Sequence, residues 1–159
     1  MPVTLKCLKP KEPDFEPRTI GEHLRRCRLK RGLSQNDAAR LLGVTSWTVS
    51  NWEKGRATPL IESLPRLSGF LGYDPFPELT SLPERLLAKR RAMGWSIAKA
   101  ADWLGVDRSA WSDWEHGGVI LLRTHRRLVA QLLGESVEDL AQEMRTRWNY
   151  SHKGTRFPE

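Results

Sequence analysis

Apolar residues in the first third of the chain recur every three or four positions, the spacing of one face of an α-helix. The first such stripe follows Thr19 and Glu22, a threonine and an acid that are three residues apart and form a capping box. It ends before Gly32, since glycine commonly terminates a helix. The pattern therefore predicts a first helix whose inward face consists of Ile20, Leu24 and Cys27.

Three further helices are predicted from the same kinds of signal. Ser34 caps a second helix that ends at Gly43, and a third, short helix closes at Gly55. A fourth runs from about Leu64 to Gly72. The residues of the second helix that we expect to point inward are Ala38, Ala39, Leu41 and Leu42. No segment alternates between apolar and polar residues as a strand would, so the pattern predicts an all-α fold.

The helical pattern then restarts at a fixed offset of 62 residues. Without any gap, 14 of the 36 positions in 20–55 are identical in 82–117, which indicates an internal duplication. The second copy opens with Ser81, Pro83 and Glu84, a cap, a first-turn proline and a capping-box acid. The identical pairs include Arg28/Arg90, Gly43/Gly105, Ser50/Ser112, Trp52/Trp114 and Glu53/Glu115.

The repeat and the composition around it predict the domain organisation. Residues 1–18 carry four prolines and seven charged side chains, which is typical of a disordered arm. After residue 134 the two copies diverge. The predicted segments are a disordered N-terminal arm at 1–18, a first domain at 19–72, a linker at 73–81, a second and divergent domain at 82–134, an amphipathic C-terminal helix at 135–150 and a flexible tail at 151–159.

The predicted C-terminal helix has one apolar stripe, for which two interpretations remain open. The stripe consists of Val137, Leu140, Met144 and Trp148. It either packs against its own domain or forms the interface of a homodimer.

The stretch "GLSQNDAARLLGVTSWTVSNWEKG" at 32–55 resembles the lambda-repressor/Cro-type (XRE) helix-turn-helix family of DNA-binding proteins. The matching features are the "LSQ" opening, the paired alanines, "LGV", "TVSNWE" and the glycine that follows. The second copy matches more weakly but keeps "AADWLGV" and "SDWE". The resemblance implies two tandem lambda-repressor-like helical domains, each with four to five short helices, followed by the longer C-terminal helix.

The resemblance also implies which residues of the first copy contact DNA. In this family the third helix enters the major groove and reads base edges. The implied base contacts are Ser46, Trp47, Ser50 and Asn51. Asn51 suits adenine, and Trp47 suits a thymine methyl group unless it packs elsewhere on its own chain. The implied phosphate contacts are Gln35, Arg28, Lys54 and Arg56, with Arg90 as their counterpart in the second copy.

Whether the second copy reads DNA is left open by its sequence. Arg108 suits guanine, and Ser109, Ser112 and Asp113 complete its implied base-contacting surface. However, Ile97 stands where the first copy has Gln35, so a phosphate ligand is lost. Trp95, Trp103 and Trp111 replace Leu33, Leu41 and Val49, which predicts either a repacked core or a protein interface.

Composition narrows the class of partner. The net charge is +7 and the sequence pI is about 9.8, which favours a polyanion such as nucleic acid. Cys7 and Cys27 form no metal or disulfide pattern, and the four histidines have no metal-ligand spacing. Neither a phosphate-binding glycine loop nor a nucleophile motif is present. We expect a cytoplasmic protein that is not an enzyme and needs no cofactor or metal.

Together these observations predict a sequence-specific regulator of transcription that binds double-stranded DNA at a promoter or operator, most simply as a repressor, in a bacterium or a phage. The alternative is a protein-interaction module of the antitoxin kind, tethered to DNA by the first copy. In that alternative the second copy binds a partner protein or mediates dimerisation. RNA is less favoured, because its A-form major groove is too narrow for a helix.

Overall fold

A computed structural model describes residues 15–76, 80–117 and 123–151, without the side chains of 149–151. Every regular element in these ranges is helical, which confirms the all-α prediction for the part of the chain described. The α-helices are α1 (Ile20–Lys30), α2 (Gln35–Leu42), α3 (Ser46–Glu53), α4 (Leu64–Leu71), α5 (Leu82–Met93), α6 (Ile97–Leu104), α7 (Arg108–Glu115), α8 (Arg123–Leu133) and α9 (Val137–Ser151), and a 3-10 turn at Ile61–Ser63 precedes α4. The predicted N-terminal arm and C-terminal tail lie almost wholly outside the described residues.

The chain divides into two compact units, which are described here one at a time. Unit 1 ends at Pro77 and contains α1 to α4, and unit 2 begins at Glu78 and contains α5 to α9. The helix bounds of α2 and α3 recur in α6 and α7 at the offset of 62 residues. Four glycines with positive φ recur at the same offset, namely Gly32/Gly94, Gly43/Gly105, Gly55/Gly117 and Gly72/Gly134.

The N-terminal caps of unit 1 form as predicted. Glu22 accepts hydrogen bonds from the backbone N–H groups of Arg18 and Thr19, which lower the pKa of its carboxyl group. At α2, Asp37 accepts from the hydroxyl and the N–H of Ser34, and these bonds lower the pKa of Asp37. These bonds fix where α1 and α2 begin.

The core of unit 1 forms where α1 and α2 pack against α3 and α4. Leu24, Val49 and Leu67 are fully buried at its centre, and Trp52 is buried beside them. Gly43 ends α2 in the left-handed conformation at φ +69, which a residue with a side chain adopts only at a cost. One prediction is wrong: Leu41 is 65% exposed, because the inward face of α2 is filled by Ala38, Ala39 and Leu42.

Unit 2 has a larger core than unit 1, and α9 is part of it. Trp111, Leu86 and Val129 are fully buried, and Leu140 and Met144 of α9 belong to the same cluster. For Leu140 and Met144 this burial agrees with the first of the two interpretations of the stripe, packing against their own domain, and leaves them unavailable as a dimer surface. Val137 packs partly buried against the same cluster, and Trp148 is half-buried. Dimerisation itself stays untested.

Polar contacts also fix α9 to the rest of unit 2. Glu143 accepts a hydrogen bond from the backbone N–H of Leu82 at 3.1 Å, where α5 begins. The Arg85 guanidinium donates to Glu143 at 2.6 Å and to Glu135 at 2.8 Å. Because these contacts join both the α8–α9 connection, at Glu135, and the middle of α9, at Glu143, to α5, α9 is an integral helix of unit 2.

Candidate nucleic-acid interface

A buried ion pair holds α3 against α1 in unit 1. The Arg28 guanidinium contacts the Glu53 carboxylate through two hydrogen bonds of 2.6 and 2.8 Å, and a third bond of 2.9 Å goes to the Leu33 carbonyl oxygen. The side chains of Arg28 and Glu53 are 10% and 3% exposed. Two parallel bonds from a planar guanidinium fix orientation as well as distance. The pair therefore sets the position of the C-terminal end of α3.

Two of the implied phosphate contacts, Arg28 and Gln35, instead form hydrogen bonds with Glu53. The Arg28 guanidinium is enclosed, so we do not retain Arg28 as a phosphate ligand. Gln35, at the first position of α2, donates from Nε2 to Glu53 Oε2 at 2.9 Å and is half-buried. Lys54 and Arg56, which follow α3, are exposed. Of the four residues of unit 1 for which the resemblance implies a phosphate contact, these two cations are the exposed ones.

Trp47 lies on the outward side of α3 and is 75% exposed. Thr45 caps the helix just before it by accepting a hydrogen bond from the backbone N–H of Thr48 at 3.1 Å. Val49 and Trp52 are buried on the opposite side. A large aromatic ring on a rigid helix, exposed to this extent, is a surface that can cover an apolar group on a ligand.

Asn51 follows Trp47 by one helical turn, and its environment differs from the prediction. We expected it to face outward, but it is only 8% exposed. Its backbone carbonyl oxygen accepts hydrogen bonds from the backbone N–H groups of Arg56 and Ala57, so the chain turns back toward the end of α3 directly after the helix. Its side-chain amide makes no hydrogen bond within the described residues. Ser46 and Ser50, the other implied base contacts, are half-buried.

Unit 2 repeats the buried ion pair with different neighbours. Arg90 binds Glu115 through hydrogen bonds of 2.5 and 2.8 Å and the Trp95 carbonyl oxygen at 3.1 Å. Arg90 is thereby engaged in the same way as Arg28, and we do not retain it as a phosphate ligand either. On α7, Arg108, Ser109 and Asp113 are exposed, and Ser112 is half-buried.

The two units supply a further donor to the buried carboxylate in different ways. In unit 1 the donor is Gln35, whose position is occupied by Ile97 in unit 2. There the indole Nε1 of Trp111 donates to Glu115 Oε1 at 2.7 Å, and Trp111 stands at the position of Val49. The two substitutions compensate for one another, because a buried carboxylate needs its lone pairs satisfied. This exchange was not predicted, although its signal is visible where the two copies differ.

Replacing Trp111 with phenylalanine should lower the free energy of unfolding of unit 2. The substitution removes a hydrogen bond to a charged acceptor, which typically contributes about 1.5–3 kcal/mol, and part of the ring volume. Chemical denaturation measures the loss. Trp103→Phe is the matched control, since Trp103 is 47% exposed and its substitution should change the stability by about 0.5 kcal/mol or less. Equal losses in the two variants would contradict the role of the indole donor.

The described residues contain neither a cluster suited to a metal ion nor a helix suited to a membrane. Within 15–76, 80–117 and 123–151, no group of three or more histidine, cysteine, aspartate or glutamate side chains is placed to hold a metal ion. No helix in those ranges has the length and apolar character needed to cross a membrane. The Cys27 thiol is free and donates to the Phe70 carbonyl oxygen, whereas Cys7 lies outside the described residues.

Comparison with known proteins gives a family match within unit 1 and a match to a curated relative. A segment of 53 residues is 40% identical to the SPbeta prophage-derived uncharacterized HTH-type transcriptional regulator YonR of Bacillus subtilis (strain 168). The match covers 33% of this chain and 49% of that relative, so the chain spans about half the length of the curated relative it matches. No solved structure matches the chain. Residues 24–76, which contain α2, α3, α4 and most of α1, match the helix-turn-helix family.

Proposed function

We propose that this protein is a transcriptional regulator that binds duplex DNA in a sequence-specific manner and acts as a repressor by occupying a promoter. The helix-turn-helix match over residues 24–76 supports DNA binding by unit 1. The Bacillus subtilis relative is named as a transcriptional regulator, which supports a role in transcription. The net charge of +7 favours a polyanionic ligand.

The observation that carries this proposal is the exposed ring of Trp47 on the outward side of α3. Asn51 is four residues further on and is therefore its neighbour on the helix. Trp47 is 75% exposed, whereas Asn51 is only 8% exposed and its amide has no hydrogen-bond partner in the described residues. An asparagine amide matches the donor and acceptor edge of adenine, and an indole ring can cover the thymine methyl group. Ser46 and Ser50 are the remaining base contacts in this proposal.

We propose that the phosphate contacts of unit 1 are Lys54 and Arg56, with Gln35 acting from the start of α2. Lys54 and Arg56 are exposed immediately after α3, where a helix in the major groove would bring them near a strand. Gln35 is held by Glu53, which orients its amide before any ligand arrives. Contacts of this kind position the protein on the duplex and do not distinguish sequences.

We propose further that unit 2 is a second helix-turn-helix domain, within 82–134, joined to the first at 19–72 by a short linker at 73–81. The recurring bounds of α2 and α3 in α6 and α7, and the recurring ion pair, support a common fold. Its base contacts are Arg108, Ser109, Ser112 and Asp113. Because three of these four residues differ from their counterparts in α3, with Ser112 the exception, the chain would recognise an asymmetric site. A linker this short raises the effective concentration of the second unit.

The alternative is that unit 2 binds a partner protein, and one feature favours it. Trp103 is 47% exposed and stacks on Trp95 with ring centroids 5.8 Å apart, and Met93 is 46% exposed. Exposed tryptophan is common in protein interfaces. Selection of bound sequences from random duplex DNA with the intact chain separates the two roles. Two different half-sites at a fixed spacing support reading by both units, and a single half-site supports the alternative.

The proposed base contacts predict a loss of specific affinity in two single variants. Asn51→Ala and Trp47→Ala should each weaken binding to the selected DNA site by about 1–3 kcal/mol, which is a roughly 5- to 150-fold increase in Kd. The loss arises because each variant removes a contact to a base edge. Titration of labelled duplex with the full chain, at one fixed salt concentration, measures it.

Two comparisons complete this experiment. Gln142→Ala removes an amide from an exposed position of α9 and should leave the affinity unchanged. Binding of each variant to a scrambled duplex should also be unchanged, since that binding depends on phosphate contacts. If Asn51→Ala and Trp47→Ala bind the selected site as tightly as the parent chain does, α3 is not the reading helix.

A further inference from the structure

Charges are segregated along α8 and α9. In α8, three arginines stand among 11 residues that include no acid. In α9, every acid comes before Met144 and both arginines come after it. Four of these five arginines are exposed, namely Arg123, Arg127, Arg145 and Arg147, and we call this group of four the arginine end, whereas Arg126 is buried.

The connection between the two helices brings these arginines together. Gly134 ends α8 with φ +77, and only two further residues precede α9. His125, near the start of α8, packs against Trp114 of α7 with ring centroids 5.5 Å apart, and Arg147, in the second half of α9, donates to the carbonyl oxygen of Gly117 just after α7. The start of α8 therefore lies beside the second half of α9, with Ala130 and Leu140 buried in a shared core. Burial and the positive charges of Arg145 and Arg123 lower the pKa of Arg126, which agrees with this proximity.

The acids of this hairpin do not neutralise the arginine end. Glu135 and Glu143 bind Arg85 of α5, as described above. Glu138 and Asp139 lie in the first turn of α9, at the opposite end of the hairpin. Clustered arginines without adjacent acids repel one another, so a polyanion that binds there relieves the repulsion.

One contact places the arginine end relative to α7. Arg147 donates from Nη2 to the Gly117 carbonyl oxygen at 2.9 Å, and Gly117 follows the C-terminal end of α7. Arg123, Arg127 and Arg145 are exposed nearby on α8 and α9. Arg123 and Arg127 are four residues apart and share the outward side of α8. The cationic surface thus lies beside the helix that the proposed function assigns to base reading.

We propose that the arginine end binds the phosphate backbone of duplex DNA independently of sequence, next to α7. This inference rests on the proposed function, since it assumes that the chain binds duplex DNA. A guanidinium group matches the geometry of a phosphate, and each neutralised phosphate releases condensed counterions. The arginine end would supply affinity for any duplex, whereas Trp47 and Asn51 would supply the choice of sequence.

The salt dependence of binding tests this assignment. The double variant Arg127→Gln/Arg145→Gln should reduce the slope of log affinity against log salt by about 1.8, because each lost phosphate contact removes about 0.9. Its affinity for a random-sequence duplex at about 50 mM salt should fall at least about tenfold. Fluorescence titration of the full chain at four salt concentrations measures both quantities.

A control variant that loses the same number of positive charges shows whether the change in slope belongs to the arginine end. Lys89→Gln/Lys99→Gln removes two positive charges from elsewhere in unit 2, and the slope should change much less. Equal slopes in the parent chain and the arginine variant overturn the proposal, as does an equal reduction in the lysine control. A failure of the proposed function would give a different result, because the parent chain would then bind a selected site and a scrambled one equally well.

Discussion

Arg28→Met is expected to lower the free energy of unfolding of unit 1 by about 3–5 kcal/mol. The variant leaves the Glu53 carboxylate 3% exposed and without the two hydrogen bonds that neutralise it. Removing one partner of a buried pair is costly because the other charge stays in a poorly solvating interior. Native-state hydrogen exchange of the amides in α1 to α4 measures this stability separately from that of unit 2.

Two variants serve as comparisons for Arg28→Met. Arg25→Met alters an exposed arginine one turn earlier on α1 and should change the stability by about 0.5 kcal/mol or less. The double variant Arg28→Met/Glu53→Leu removes both charges and should be more stable than Arg28→Met alone. If the double variant loses the sum of the two single losses, the ion pair is not the coupling between α1 and α3.

Gly21→Ala is expected to destabilise unit 1 although alanine is the better helix former. A Cβ atom at Gly21 would lie 1.9 Å from the carbonyl oxygen of Trp52 and 2.6 Å from its carbonyl carbon. These are backbone atoms, so α1 or α3 must shift to relieve the contact. We expect a loss near the upper end of the 1–3 kcal/mol that is typical of overpacking.

The same substitution at Gly69 should change the stability of unit 1 in the opposite direction. Gly69 lies within α4, and a Cβ atom there would meet nothing within 4 Å. Gly69→Ala should therefore stabilise unit 1 by about 0.5–1 kcal/mol through helix propensity alone. Urea denaturation of both variants, with hydrogen exchange to assign the unit, measures the two signs. Stabilisation by both substitutions would show that α1 and α3 are not in close backbone contact.

Both predictions concern the placement of α3, which carries the proposed reading residues. Gly21 allows the α1 backbone to approach the end of α3, and Arg28 binds Glu53 at that same end. A variant that loosens either contact should weaken specific DNA binding more than binding to scrambled duplex, because base contacts require a fixed helix orientation. This expectation depends on the proposed function.

Local signals in the sequence predicted the helices well. The capping box of Thr19 and Glu22, the cap at Ser34 and the glycine at position 43 each mark an observed helix boundary. These signals are reliable because each one depends on bonds or dihedral angles within a few residues. The offset of 62 residues likewise predicted the positions of α6 and α7.

Predictions of which side chains are buried were less successful, because burial depends on the segments that pack against a helix. Leu41 was expected inside and is exposed, and Asn51 was expected outside and is buried. Helical periodicity gives the angle of each side chain, but it does not say how far neighbouring segments extend over it. Asn51 lies near the end of α3, where its backbone carbonyl oxygen accepts hydrogen bonds from the N–H groups of Arg56 and Ala57.

The sequence by itself determined the all-α class, the helix boundaries and the likeness to a DNA-binding motif, because these follow from periodicity, capping and local residue identity. Only the tertiary structure decided which cations are available to a ligand. Arg28, in the last turn of α1, is enclosed with Glu53, whereas Arg56, which follows α3, is exposed. The tertiary structure also decided that Leu140 and Met144 are core residues, since their apolar stripe packs against residues of unit 2 that are distant in sequence. Burial and ion pairing are properties of residues distant in sequence, and that is why no local pattern predicts them.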